Sequence, residues 1–324
     1  MTREILIGLG AGLAAAFLML AALSGSTLGL ALAMLAALPI TVATLSWGYR
    51  GGLIAAVVAV AVLCGVLGVQ AGLAFGVSVA LPAWGLAYLA IVGFGAGEDG
   101  QGRISIGTLV VIAGVLSALS ATFTTVSLGN SYDDSVRNLE QQLTEFFRAV
   151  FAVPKDQPLV LPDVTDAGAT VHVLSRVILP MSAFVGTIAS LCGLWLSGRI
   201  ARISGRLPRP WPDIAALRLP MWSVVLLGAG CLISMLPDIY GLAGQLLLAA
   251  MLAAFAMQGF AVVHFITRSM AARPLLLAAV YLVCFIMSWI ALSVIAIIGI
   301  LDLFFNLRGR SGSNGRPPSP AKQN

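Results

Sequence analysis

Apolar runs of bilayer length alternate with short polar interruptions along almost the whole chain. They cover residues 5–23, 28–47, 53–69, 73–94, 104–128, 177–198, 221–236, 242–266 and 274–305. A helix needs about 20 apolar residues to cross the hydrocarbon region, and in lipid the backbone must satisfy its own hydrogen bonds. The pattern therefore predicts an all-α, polytopic transmembrane bundle of eight to ten spans. Pro39 and Pro82 fall inside the second and fourth runs, each read here as one span.

The last run leaves the count open. Its 32 residues would extend about 48 Å as one helix, long for a single crossing. Two short legs turning near Ser288 would return the C-terminal tail to the side where the chain begins. An inside tail is the expectation, because its Arg308, Arg310, Arg316 and Lys322 obey the charge rule only there.

The pattern breaks once, over residues 129–170. Asp133, Asp134, Glu140, Glu145, Asp156, Asp163 and Asp166 gather there, while Val136, Leu139, Leu143, Phe146, Phe147 and Val150 recur at helical spacing. This predicts an amphipathic helix outside the membrane, ending before Pro154, with Phe146, Phe147 and Phe151 dipping into the interface or capping the bundle. The organisation read from the chain is a membrane bundle over 1–128, an acidic extracytoplasmic segment over 129–170, a second bundle over 171–305 and a basic, disordered tail over 306–324.

Charge then orients the molecule. The loop between the sixth and seventh runs carries Arg199, Arg202, Arg206, Arg209 and Arg218 against one acid, Asp213. Short arginine-rich loops stay cytoplasmic, whereas an acidic segment tolerates translocation. The two lie on opposite sides of the sixth span, so they agree on a multi-pass protein of the bacterial inner membrane.

Composition fits. Hydrophobic residues make up 59% of the 324 and charged ones 10%, with a mean hydropathy of +1.00, far from the roughly 25% charged of a soluble domain. The net charge of +5 sits beside apolar spans, which selects the anionic bilayer surface as partner and not nucleic acid. Gly8 and Gly12, Gly25 and Gly29, Gly48 and Gly52, and Gly72 and Gly76 stand four apart. That spacing lets helices approach closely, within one chain or between the copies of a homo-oligomer.

Polar residues inside apolar runs are the candidates for function, since lipid penalises them. They are Gln70, Gln245, Gln258, His264, Asp302 and Asn306, with Arg308 just beyond. Asp302 must find a partner or reach water; Asn306 follows one turn later, and Arg308 is expected to snorkel toward the interface. Gln258, His264, Asp302, Asn306 and Arg308 are thus a substrate-binding or structural polar cluster. Four scattered cysteines give neither a zinc site nor a disulfide framework. No nucleophile, base and acid set or HExxH occurs, so no enzyme, cofactor or metal is expected.

The C-terminal half resembles the YybS-like family of bacterial membrane proteins, a domain of unknown function. The resemblance rests on Pro180, on Arg218-Leu219-Pro220 and on Gln258-Gly259 with His264-Phe265. Most specific is the closing Gly299-x-x-Asp302-x-x-x-Asn306-x-Arg308-x-Arg310. That family is grouped with the substrate-binding S components of energy-coupling factor transporters. The grouping implies small-molecule uptake driven by a separate ATPase and transmembrane coupling module; this chain has no GxxxxGK[ST] phosphate loop.

Overall fold

A computed structural model describes residues 2–93, 104–128, 131–162, 164–207 and 216–309. Helix is the only regular structure among them. Seven helices there are long and apolar enough to cross a membrane, and shorter apolar helices add to them. In chain order they are α1 (Thr2–Leu20), α2 (Thr27–Met34), α3 (Ala37–Trp47), α4 (Tyr49–Leu67), α5 (Val69–Phe75), α6 (Leu81–Gly93), α7 (Ile106–Leu128), α8 (Tyr132–Val150), α9 (Ala167–Ile203), α10 (Ser223–Ile233), α11 (Asp238–Ile266) and α12 (Arg273–Phe305). The loop acids Glu98 and Asp99, together with Arg209, Asp163, Arg310, Arg316 and Lys322, lie outside the described residues.

Two expected spans are interrupted, and proline explains both. Pro39 has no N–H for the carbonyl of Leu35, four residues back. That carbonyl instead takes the Leu38 N–H at 2.9 Å in a tight turn, and the span divides into α2 and α3. Before Pro82 the chain makes a wide π-helical turn, Gly76–Ala80, between α5 and α6. The bond spacing of a π turn pairs Pro82 with Val77, whose carbonyl is taken by the Ser120 hydroxyl of α7 at 3.3 Å.

The sixth span is longer than its apolar stretch. It begins at Ala167, where Asp166 caps it by accepting the Ala169 N–H at 2.9 Å, and runs 37 residues, about 55 Å. The added first turns are ordered by packing under α8: Ala167, Val171 and Ser175 are buried, and His172 meets Glu140. α8 is itself capped by Ser131 and tied at Tyr132, whose N–H donates to Asp238 at the head of α11. Its first half packs down through Ser135 and Val136, while Phe146, Val150 and Phe151 stay exposed at its far end.

The two largest buried clusters hold the bundle. The smaller joins α1, α3, α4, α5 and α6 around Ala15, Ile40, Leu63 and Phe75. The larger is built on α7, α9, α11 and α12, with Phe255, Met251 and Leu246 at its centre and Leu45 and Leu86 reaching in from α3 and α6. Of the glycine pairs, Gly8 and Gly12 mark a helix crossing within the chain, against the carbonyls of Gly51 and Ala55 on α4. Gly25 and Gly48 have positive φ and serve turns instead.

Contacts sort the charges into two ends. At one end Arg206 stacks on Trp47 at 4.7 Å, Gly51 faces Glu4, and Gly107 faces Arg218. At the other, Gln70 reaches the Ser127 carbonyl and α8 carries its acids. The end of α12 joins the arginine end, where Arg218 donates to Asn306. α12 is not straight: Tyr281 and Asp302 would be about 32 Å apart on an ideal helix, yet their partners Phe260 and Gln258 are two residues apart on α11. It bends back, which places its end beside the arginine loop.

A reporter inserted within 154–166 is expected to be active only outside the cytoplasm and one within 199–207 only inside. Activity of both in one compartment, or the reverse, would overturn this orientation.

Candidate functional site

Gln258, Asp302 and Arg308 meet at the arginine end in a buried polar network. α12 stops at Asn306, whose N–H makes a last helical bond to the Asp302 carbonyl at 3.0 Å and whose left-handed conformation (φ 47°) then turns the chain back. Asn306 is therefore the cap of the helix and not a further turn of it. The return brings Arg308 inward: it is 3% exposed and donates from Nη2 to Asp302 Oδ2 at 2.7 Å and from Nε at 3.1 Å. Snorkelling toward lipid headgroups was the expectation, but a buried carboxylate six residues back is the stronger partner in a low-dielectric site.

The network ties three elements. Arg308 Nη2 also donates to the Leu217 carbonyl at 2.7 Å. Gln258 of α11, fully buried, accepts the Leu219 N–H at 2.8 Å and donates to Gly299 O at 3.0 Å and Asp302 Oδ2 at 3.2 Å. The end of the arginine loop, Leu217 to Leu219, is thus stitched between α11 and α12, with Arg218 donating to Asn306 at 2.7 Å. Each polar atom named here is matched by a protein partner, so the cluster acts as a latch.

Close backbone approach makes the latch reachable. A Cβ at Gly259 would lie 1.9 Å from Ile295 O, one at Gly299 2.1 Å from Phe255 O, and one at Gly107 1.8 Å from Arg218 O. Only glycine permits these crossings.

His264 stands apart. Its Nδ1 lies 2.9 Å from the Phe260 carbonyl and its Nε2 3.4 Å from the Tyr281 hydroxyl. With the Nδ1–H donating to that carbonyl, the ring joins α11 to Tyr281 in the first half of α12. Arg199 and Arg202 are exposed at the end of α9, Arg199 lying over the Trp195 ring at 5.7 Å. Among the described residues no group of three or more His, Cys, Asp or Glu is placed to hold a metal ion.

A second feature was not read from the sequence. A cavity of about 400 Å³ lies where the α2–α3 break and the π turn face α9, lined by Leu38, Thr41, Ser78, Leu86, Ser190 and Leu194 among others. Thr41 bonds Ser197 of α9, and Ser78 bonds Thr124 of α7 at 2.9 Å. Pro39 and Pro82 were its signal: two proline-interrupted spans meeting one long helix leave irregular backbone that cannot pack flush.

A family described as predicted membrane protein (DUF2232) matches residues 13–303. The chain belongs to that family. The DUF2232 match runs from within α1 to α12, and so takes in both buried clusters, Gln258 and Asp302. No curated protein and no solved structure matches the chain.

Proposed function

We propose that this DUF2232 protein is a non-enzymatic component of the bacterial inner membrane that binds a small solute within the bilayer region and works with a separate ATPase and coupling module. The observation that carries this reading is the cavity between the broken helices and α9. Bundles that bind solutes build their sites at interrupted helices near mid-membrane, lined mainly by apolar side chains with a few hydroxyls. The grouping of the YybS-like family with transporter S components implies the same role. In this reading the Gln258, Asp302 and Arg308 latch holds α11, α12 and the end of the arginine loop together and takes no part in lining the site.

A structural or regulatory scaffold of the cell envelope is the rival. It draws on the closed latch and on the exposed aromatic end of α8. Purification of the full chain in mild detergent, followed by identification of copurifying molecules, separates the two. Gly193 lines the cavity, and a side chain there would meet nothing within 4 Å. Gly193→Leu is therefore expected to fold and fill the space. The wild type should carry a small molecule that this variant retains about tenfold less, a loss near 1.4 kcal/mol. Identical small-molecule content in both, with only envelope proteins bound, would favour the scaffold.

A further inference from the structure

We propose that the cavity takes a hydrocarbon chain of an anionic phospholipid from the arginine-side leaflet, with the headgroup held at Arg199. The assignment rests on the cavity being the binding site, and it names the class of occupant.

The mouth decides the route. Met34 and Leu35 at the α2–α3 break are 72% and 42% exposed, and Cys192 and Leu196 of α9 are exposed opposite them. All four lie in spans, so what they face is lipid and the opening is lateral. The walls agree. Leu86, Leu194 and Ala83 are buried there, no charged side chain is among the lining residues, and the Thr41 and Ser78 hydroxyls are already bonded to Ser197 and Thr124. A charged or strongly polar solute would lose its hydration with little beyond the Ser190 hydroxyl to replace it, whereas an alkyl chain loses nothing on leaving the bilayer.

The headgroup follows from the face of α9 that carries the mouth. Ala189, Cys192, Leu196 and Arg199 succeed one another at spacings of three, four and three, which is one stripe of the helix. The stripe changes from apolar to cationic within a turn of the opening. Arg199 is exposed, rests on Trp195 as side chains do at the headgroup level, and takes part in none of the ion pairs found among the described residues. Arg202 stands one turn closer to the loop and is exposed as well. A chain in the cavity and a phosphate at Arg199 are the two ends of one phospholipid.

The test uses the full chain in nanodiscs containing phosphatidylglycerol with a diazirine in its acyl chain, irradiated and mapped by peptide mass spectrometry. Crosslinks are expected to concentrate severalfold on 33–38 and 190–196 relative to the exposed Ile286 and Ile290 surface of α12, which lines no part of that cavity. Gly193→Leu should remove that excess, and Arg199→Gln should remove the preference for phosphatidylglycerol over phosphatidylcholine carrying the same chain. Uniform labelling, meaning annular lipid only, would overturn the proposal, as would an excess indifferent to Gly193→Leu. Equal labelling by both lipids in the wild type would overturn the headgroup assignment. If Gly193→Leu sheds a copurifying water-soluble molecule while labelling is uniform, solute binding stands and the lipid assignment falls. If the variant differs from wild type in neither experiment, both fall.

Discussion

Asp302→Ala is expected to lower the stability of the protein by about 3–5 kcal/mol, because removing one member of a buried ion pair strands the other. Arg308 would remain 3% exposed with its charge facing the space left by the carboxylate. Its bond to Leu217 O alone does not neutralise it. The Leu217 to Leu219 segment should loosen from α11 and α12, seen as a lower midpoint of thermal unfolding in detergent and reduced accumulation in membranes. The paired change Asp302→Leu with Arg308→Met is expected to recover much of the loss, since it removes both charges and their desolvation together. Wild-type stability of Asp302→Ala would show that the carboxylate is incidental to the fold.

Gly259→Leu is expected to be at least as damaging. Its Cβ alone would enter the Ile295 carbonyl at 1.9 Å, so α11 and α12 must separate. Overpacking typically costs about 1–3 kcal/mol; here it would also draw Gln258 away from Gly299 and Asp302, 3.0 and 3.2 Å distant. Gly299→Leu should behave alike. Gly193→Leu, with open space before it, should unfold within a few degrees of the wild type. Equal unfolding midpoints for Gly259→Leu and Gly193→Leu would refute the claim that the crossing depends on glycine.

Much of the fold was legible because lipid imposes a simple rule. A run such as 104–128 has no alternative to helix in hydrocarbon, and α7 occupies nearly the same residues. Val136 to Val150 announced α8 through its period and Pro154 bounded it, whereas the Ser131 cap was seen only in the structure. Less visible were the extra turns of α9 before Val177. Their side chains are only moderately apolar and are ordered by α8, a partner distant in sequence. The break at Leu35 and the π turn before Pro82 had a local cause in proline, but proline alone does not tell a kink from a divided helix.

The polar residues show the same limit. Their expense in lipid singled out Gln258 and Asp302, and the structure joins them. The same reasoning grouped His264 with them, yet α11 turns it to Tyr281. Arg308 looked free to reach the interface until the left-handed Asn306 sent it inward.

By itself the sequence determined that the chain is a helical membrane protein and where its apolar runs lie, though not how many times they cross, because apolar length and charge asymmetry act residue by residue against a uniform solvent. Only the tertiary structure decided that α12 bends back, that Arg308 closes on Asp302, and that a cavity opens beside α9. Those depend on which surfaces meet across 40 to 160 positions of the chain, as Gln258 with Gly299 and Thr41 with Ser197 do, and no local pattern encodes that distance.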